Sequence, residues 1–327
     1  MKMKKLAVLS CSLLLSFMAT THAATPVPEN KTAPQAPAKV PPQNINFTVS
    51  ASNITVNHPN GQTIVSKQPQ RIVVMDFGTL DTLEKLQLSQ RVVAYPLNNL
   101  PTYLSAYKEG HYQNDAGNMK EPDLATIQQI KPDLIIITGR QGKSYEQLTN
   151  IAPTINLGIN AHDYLNSFIA NNQLMGELLD KQITTENEIA KIKQKIVKSH
   201  EQAEKSDQKA LVIMHNAGKL SAANSSQYAT IIHDLAGIKR ADSDTKPKRQ
   251  MIDEAYLTTI NPDIIFVVDR GAAIGQEAYK PELLEQVTTQ PIKAIQNKRV
   301  IYLTPDLWYL SGGGLISLNK QLDEVMQ

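Results

Sequence analysis

The chain has 327 residues, of which 41% are hydrophobic and 20% charged, with a formal net charge of +2 at pH 7. This near balance of charge argues against a nucleic-acid partner, which requires a strongly basic surface. Its single cysteine, Cys11, lies in an apolar stretch close to the N-terminus. Loss of that stretch would leave a protein whose fold cannot depend on disulfides.

Residues 1–23 have the three parts of a secretory signal peptide: "MKMKK", an apolar run of thirteen residues from Leu6 to Met18, and "THA" before Ala24. The run is short for a membrane span, which needs about 20 residues. We therefore expect a mature periplasmic protein that begins at Ala24. The alternative is a lipoprotein that is acylated on Cys11.

The mature chain that this cleavage predicts contains 30 basic and 31 acidic residues, because the signal removes three lysines. Residues 24–44 are rich in Pro, Ala, Thr and Asn, which predicts a disordered tether. The remaining segment of about 280 residues exceeds what one hydrophobic core usually holds, so we expect two lobes.

Strand and helix patterns alternate in residues 45–163, which predicts an N-terminal α/β lobe with a parallel sheet. A polar β-like segment, "INFTVSASNITVNH", comes first. It is followed by the strand "RIVVMDFG", the helix "TLDTLEKLQL", the strand "RVVAYP", the helix "PDLATIQQIK" and the strand "DLIIIT". Successive strands separated by helices are typical of βαβ units.

Residues 164–205 show almost no strand pattern and predict a helical spine between the lobes. Within it, Ile189, Ile192, Ile196 and Val197 are expected on one apolar helix face. Residues 206–327 then repeat the α/β plan as a C-terminal lobe. Its segments are "KALVIMHNAG", "QYATIIHDLAGI", "EAYLTTI", "DIIFVVD", "RVIYL" and "LISLNKQLDEVM".

One phrase occurs in both lobes. "KPDLIIITGR", from Lys131 to Arg140, matches "NPDIIFVVDR", from Asn261 to Arg270, at a distance of 130 residues and without a gap. Each phrase predicts a buried strand followed by an arginine. Ligands of open parallel sheets bind beyond the carboxyl ends of the strands, so two facing lobes would bring both arginines to one cleft.

Arginine presents a planar fork of donors and holds its charge, so paired arginines suit an anionic, oxygen-rich ligand. The alternative is that each arginine forms an ion pair with a local acid such as Asp269. The final strand leads into "TPDLWYLSGGG", which places Trp308 and Tyr309 at the same cleft. Tyr309 is expected in the site, where a phenolate could ligate ferric iron. Trp308 is expected either to stack on a ligand or to fill the core.

Other site types are not supported by the residues present. "GRQGKS" lacks the first glycine of a phosphate-binding loop, because position 137 is Ile137. The seven histidines show no zinc-ligand spacing, and only His215, at the end of a strand, is expected near the cleft. There is no GxSxG motif, and Ser311 has no evident base, so an exported hydrolase remains a weak alternative.

Four segments together resemble a known family: "RIVVMDFGTLDTLEKL", "PDLIIITGRQGK", "NPDIIFVVDR" and "RVIYLTPDLWYLSGGG". They are similar to the ferric-siderophore-binding proteins of bacterial ABC importers, in the subgroup that serves enterobactin, petrobactin, anguibactin and acinetobactin. The resemblance runs from about Arg71 to the C-terminus. It implies two α/β lobes joined by a long helix, with little hinge motion, and a binding protein rather than an enzyme.

The resemblance also implies site residues. Arg140, Arg270 and Tyr309 match family positions that face the ligand. Lys248, with Arg249 beside it, stands where the family has a histidine, and Tyr228 stands where it has an arginine. These two departures favour a less charged siderophore that fills the iron shell itself, of the acinetobactin or anguibactin type, with no direct metal ligand from the protein.

The implied partners are the ferric siderophore, which is a ligand rather than an intrinsic cofactor, and an inner-membrane ABC permease. Two family glutamates that dock on the permease are replaced by Ala125 and Ala255, with Glu121 and Glu254 as nearby substitutes. A monomer is expected. A haem or cobalamin carrier of the same fold is the alternative within this class of protein.

Overall fold

The computed structural model describes residues 44–107, 114–246 and 250–326. The predicted signal peptide, Cys11, the predicted cleavage site between Ala23 and Ala24 and the tether up to residue 43 lie outside these ranges. Lys248 and Arg249 also lie outside them. The predictions made for those residues therefore stay predictions.

The described chain opens with a three-stranded antiparallel sheet. Its strands are β1 Asn46–Val49, β2 Asn53–His58 and β3 Gly61–Ser66, in the order β1-β2-β3. Burial alternates along β2, so Ile54 and Val56 point into the core while their neighbours are partly exposed. This alternation is the period of two that a half-buried strand requires.

The N-terminal lobe contains a four-stranded parallel sheet in the order β5-β4-β6-β7. The strands are β4 Ile72–Val74, β5 Val92–Ala94, β6 Leu134–Ile137 and β7 Thr154–Asn156. The helices are α1 Phe77–Lys85, α2 Leu124–Ile130 and α3 Tyr145–Thr149, with short 3₁₀ helices at Ser89–Arg91, Ser105–Tyr107, Gly139–Ser144 and Ala161–Asp163.

The spine consists of two packed helices, α4 Tyr164–Leu179 and α5 Gln182–Ala203, which are separated by Asp180 in the left-handed conformation. Ile189, Ile192 and Ile196 are buried as predicted, but Val197 is 57% exposed. Residues eight positions apart are rotated by about 80° on a helix of 3.6 residues per turn. Val197 therefore lies off the apolar stripe that begins at Ile189.

The C-terminal lobe has strands β8 Lys209–Asn216, β9 Lys219–Ala222, β10 Lys239–Arg240, β11 Ile264–Asp269 and β12 Val300–Tyr302. The parallel order is β10-β8-β11-β12, with β9 antiparallel beside β8. Helices are α6 Gln227–Ala229, continued by a π-helical segment Thr230–Leu235, then α7 Glu254–Ile260, α8 Arg270–Ala273, α9 Glu282–Val287, α10 Lys293–Gln296, a π-helical segment Asp306–Leu310 and α11 Leu315–Val325.

The repeated phrase is the same helix–turn–strand unit in each lobe. Asp123 and Asp253 cap α2 and α7 by accepting backbone N–H groups of Thr126 and Tyr256. Strands β6 and β11 follow at matching places in the two sheet orders. Two copies of one unit therefore place Arg140 and Arg270 at equivalent strand ends.

One hydrophobic core extends through both lobes. It includes residues of both parallel sheets, the antiparallel sheet and the spine, for example Val56, Ile72, Phe168, Val212 and Leu318. Two smaller clusters cover the outer faces of the parallel sheets. The predicted architecture of two α/β lobes and a helical spine is confirmed. None of the helices in the described ranges is long and apolar enough to cross a membrane.

A cationic pocket at the carboxyl ends of two parallel sheets

A cavity of about 740 Å³ lies beyond the carboxyl ends of the strands, and we call it the cleft pocket. Four residues predicted from the sequence line it: Arg140, Tyr228, Arg270 and Tyr309. Strand ends at the point where strand order reverses are the usual ligand position in open α/β sheets. The two copies of the repeated phrase thus contribute one arginine each to a single pocket.

Arg140 is exposed on the short 3₁₀ helix that follows β6. Thr138 caps this helix, because its hydroxyl accepts the backbone N–H of Arg140 at 3.3 Å. The buried amide of Gln141 accepts the N–H of Thr138 and donates to the carbonyls of Met75 and Met119. The backbone that carries Arg140 is therefore fixed, while its guanidinium faces the cavity.

Arg270 begins α8 and is held by two neutral acceptors. Its Nε donates to the Tyr309 hydroxyl at 2.9 Å, and its Nη1 donates to Asn216 Oδ1 at 2.6 Å. The guanidinium carbon lies 5.7 Å from the centre of the Tyr309 ring, which is a favourable cation–π distance. Among the described residues these are the side-chain hydrogen bonds of Arg270, which leaves the other N–H groups of the fork available to an anion.

Within the described ranges, neither Arg140 nor Arg270 forms a salt bridge. The alternative in which Asp269 neutralises Arg270 is therefore wrong. Asp269 is fully buried and accepts instead from the backbone N–H of Tyr279, from Tyr302 and from His215. Burial would raise the pKa of Asp269, but these hydrogen bonds outweigh burial and lower it.

His215 does not line the pocket, so its expected place in the cleft is wrong. Its Nδ1 donates to Asp269 at 2.8 Å, since Nε2 accepts the backbone N–H of Gly218 at 3.1 Å. The ring is completely buried. Side chains alternate along β8, so Met214 and Asn216 face the pocket and the histidine between them points to the other side.

Trp308 fills the core, which was one of its two expected roles, and does not stack against the pocket. It has no exposed surface, and its indole N–H donates to Glu324 at 2.7 Å. The next residue, Tyr309, is half-buried and lines the pocket. Residues 306–310 form a π-helical segment, in which neighbouring side chains point in different directions around the helix axis.

Tyr228 lines the pocket from α6, which Ser226 caps by accepting the N–H of Ala229. Its side chain is 8% exposed. Burial raises the pKa of Tyr228; the nearby Tyr309 raises it further, while Arg140 acts in the opposite direction. The hydroxyl is therefore a neutral hydrogen-bonding group at physiological pH.

Sequence reasoning missed the contribution of the β8–β9 hairpin. Lys219 adds a third cation to the pocket, and Asn216 positions Arg270. The two hairpin residues, Ala217 and Gly218, have φ values of 49° and 71°. A two-residue loop with positive φ at both positions is a tight hairpin turn, so "NAG" after a strand was the available signal.

Glu121 and Glu254 lie away from the pocket. Glu121 is exposed in the segment before α2, and Glu254 is the first residue of α7 and is also exposed. Ala125 and Ala255 are exposed on the same two helices. Ala125 and Ala255 occupy corresponding places on the two lobes, 130 residues apart, whereas Glu121 precedes its helix and Glu254 begins its helix. Their role stays a prediction.

In the described part of the chain, no group of three or more His, Cys, Asp or Glu side chains has an arrangement that could hold a metal ion. The pocket instead combines three cations with hydroxyl and amide groups, and its described lining contains no carboxylate. Such a lining attracts anions and offers hydrogen-bond donors to their oxygens.

A family model described as periplasmic binding protein matches residues 72–307. The petrobactin-binding protein YclQ of Bacillus subtilis is 41% identical over 277 residues, which cover 83% of this chain and 87% of that protein. The ferric-anguibactin-binding protein FatB of Vibrio anguillarum is 28% identical over 281 residues, 84% of this chain and 87% of FatB.

Solved structures of siderophore-binding proteins are also similar to this chain. The crystal structure of YclQ from Bacillus subtilis matches with a TM-score of 0.78 and 40% identity, covering 84% of this chain and 97% of that chain. BauB, bound to a complex of two acinetobactin molecules and ferric iron, matches with a TM-score of 0.75 and 26% identity, over 84% and 99% of the two chains. By sequence and by fold, this protein belongs to the periplasmic binding protein family.

Proposed function

We propose that this protein binds a ferric siderophore in the cleft pocket and delivers it to an ABC transporter for iron uptake. The observation that carries the proposal is the convergence of Arg140, Lys219 and Arg270 on a pocket whose described lining has no carboxylate. Relatives named for petrobactin and ferric anguibactin binding, and a structural neighbour solved with ferric acinetobactin, support it.

The chemistry of such a ligand fits the lining. A catecholate donor is a dianion, so its ferric complexes carry excess negative charge on oxygen atoms at their surface. Guanidinium groups donate charge-assisted hydrogen bonds to such oxygens, and tyrosine rings supply flat contact surface. Arg140 and Arg270 approach from different lobes, so the ligand bridges them. The role is capture and release, with no bond made or broken.

The type of siderophore is decided by titration. The departures at Tyr228 and Lys248 favour a mixed ligand of the acinetobactin or anguibactin type, whereas the relative with 41% identity is named for petrobactin. Ferric acinetobactin, anguibactin and petrobactin added to the pure protein should quench the fluorescence of Trp308, the single tryptophan. The complex with the lowest Kd identifies the class.

The test of the site itself is a pair of alanine substitutions. Arg140→Ala and Arg270→Ala should each weaken binding of the preferred ferric siderophore by about 1–3 kcal/mol, the size of a charge-assisted hydrogen bond. Arg91→Ala is the matched control, because Arg91 bonds Gln68 and Pro69 outside the pocket. Unchanged affinity in both pocket variants, measured by calorimetry, would refute the proposed site.

Delivery to a permease is tested separately from binding. We infer that Glu121 and Glu254 contact basic residues of the transporter, one from each lobe. Charge reversal in Glu121→Lys with Glu254→Lys should leave the ligand Kd unchanged and lower iron uptake in cells that depend on this protein. Normal uptake by the double variant would exclude these glutamates as the docking contacts.

A further inference from the structure

A second cavity of about 330 Å³, which we call the side chamber, adjoins the cleft pocket. It is lined by Asp76, Thr138, Gly139 and Gln227, among others. Among the described residues Arg140 alone lines both cavities, so its side chain is the group that they share. The side chamber lies within the size range of small-molecule subsites, near its lower end.

The two cavities differ in charge. The charged side chains that line the cleft pocket are all cations, namely Arg140, Lys219 and Arg270. The side chamber is lined by one cation and one carboxylate, Arg140 and Asp76, and the charge of Arg140 acts on Asp76. An anion would therefore be attracted more strongly to the cleft pocket than to the side chamber.

The carboxylate of Asp76 is held in place by hydrogen bonds from the backbone. Its Oδ1 accepts the backbone N–H of Gly78 at 2.9 Å and that of Thr79 at 3.2 Å, at the start of α1. Burial raises the pKa of Asp76, while hydrogen bonds from Thr79 and Gly78 and the charge of Arg140 oppose the rise. Once a bound anion engages Arg140, Asp76 keeps its hydrogen bonds but has no other cation beside it in the described lining of the side chamber.

We propose that the side chamber is a second subsite, which receives a basic arm of the chelator while the cleft pocket holds the anionic ferric complex. This inference rests on the proposed function and adds a substrate class to it: siderophores with an amine-bearing arm outside the iron-binding groups. Thr138 and Gln227 supply polar atoms along the chamber, and Asp76 supplies the charge that selects an ammonium over a carboxylate.

Two glycines on one short helix give a matched pair of variants. Gly139 lines the side chamber, and a Cβ added there would meet no atom within 4 Å, so Gly139→Leu adds bulk at the chamber without a clash at Cβ. Gly142 lies on the same 3₁₀ helix but outside both cavities, and an added Cβ would contact only Asn60 at 3.8 Å. Gly142→Leu is therefore the control for backbone effects.

The probes are ferric complexes of three bis-catecholamides that differ only in the linker: one without an arm, one with an aminopropyl arm and one with a carboxyethyl arm. In the unmodified protein the amine arm should improve the Kd by about tenfold, or about 1.4 kcal/mol. Gly139→Leu should remove this gain and leave the armless complex unaffected. Gly142→Leu should behave like the unmodified protein.

A second variant tests the charge without filling the chamber. Asp76→Asn keeps an acceptor for the start of α1, and it should reduce the preference for the amine arm over the carboxylate arm. Equal affinity of the unmodified protein for armed and armless complexes, or a gain that survives in both folded variants, would overturn the subsite. Failure to bind any of the three ferric complexes would instead count against the proposed function.

Discussion

Adjacent side chains can serve different purposes, and Trp308 and Tyr309 show this at the residue scale. Trp308 is enclosed by core side chains and donates to Glu324, whose carboxylate also accepts from Thr304. Tyr309 faces the pocket and accepts from Arg270. One aromatic residue therefore contributes to folding, and its neighbour contributes to the position of a binding group.

The two roles predict opposite effects of substitution by phenylalanine. Trp308→Phe should lower the free energy of unfolding by about 2–4 kcal/mol, because it leaves a void and removes a donor from Glu324. The affinity for the ferric siderophore should not change. Tyr309→Phe should leave stability nearly unchanged and weaken binding by about 0.5–1.5 kcal/mol, since Arg270 loses an acceptor. Calorimetric unfolding and titration measure both.

Tyr309→Phe also tests whether the Tyr309 phenolate coordinates the ferric ion. Because the Tyr309 oxygen already accepts from Arg270, we expect the siderophore to fill the iron shell itself. The charge-transfer band of the bound complex should then be the same in the unmodified protein and in the variant. A band that is blue-shifted in the unmodified complex and restored by the substitution would show that the phenolate binds iron.

At the scale of elements, Asp81 joins α1 of the first lobe to α11 of the second. It is fully buried and accepts the backbone N–H groups of Ile316 and Ser317 at 3.0 and 2.9 Å, and the hydroxyl of Tyr103 at 3.2 Å. Gly314 makes this approach feasible, because an added Cβ would lie 2.0 Å from the carboxylate. The start of α11 is thus capped by a residue from another lobe.

This contact predicts a dependence of stability on pH. Burial raises the pKa of Asp81 from 3.8 to about 7, although its hydrogen bonds oppose the rise. The folded state therefore binds the proton more tightly than the unfolded state. The contribution of Asp81 to stability is fully present below about pH 4 and is lost as the pH rises through about 7.

Asp81→Asn should remove that loss. Relative to the variant, the unmodified protein should lose up to about 4 kcal/mol of unfolding free energy between pH 4 and pH 7, at about 1.4 kcal/mol per pKa unit. The other titrating carboxylates, such as Asp76 and Glu84, are common to both proteins and cancel in the comparison. Denaturant titrations at several pH values measure the difference. Parallel curves would contradict the assignment to Asp81.

At the scale of the molecule, the lobes share one hydrophobic core and are also joined by polar contacts. Thr102 of the first lobe donates its hydroxyl to Asp306 of the second at 2.7 Å, and Asn172 of the spine donates to the carbonyl of Gly313 at 3.0 Å. A shared core restricts rotation of one lobe against the other. The expectation of small closure on ligand binding is consistent with this and stays a prediction.

Shared packing also predicts how the protein unfolds. Because the largest core cluster includes both parallel sheets and the spine, the lobes should unfold together in one cooperative transition. Calorimetry, far-UV circular dichroism and Trp308 fluorescence should give the same midpoint. Two calorimetric peaks, or a Trp308 midpoint that differs from that of the circular dichroism, would show lobes that unfold independently.

The sequence by itself determined the two lobes, the spine and the position of both arginines. These features follow from local signals: periodicity assigns strands and helices, and the repeated phrase from Lys131 and from Asn261 gives each strand the same arginine at its carboxyl end. Parallel sheets then restrict where those ends can lie. Tyr309 was expected from its place after the final strand, whereas Tyr228 was found by resemblance to a family and not by pattern.

Only the tertiary structure decided which neighbouring side chains face the pocket. His215 and Asn216 are adjacent on one strand, yet the histidine is buried against Asp269 and the asparagine holds Arg270. Consecutive side chains of a strand point to opposite faces of the sheet, and a single sequence does not indicate which face lines the cleft. The buried role of Asp81 was missed because it depends on contacts with Ile316 and Ser317, which are distant in the chain. Lys219 was missed because the hairpin turn after β8 was not recognised.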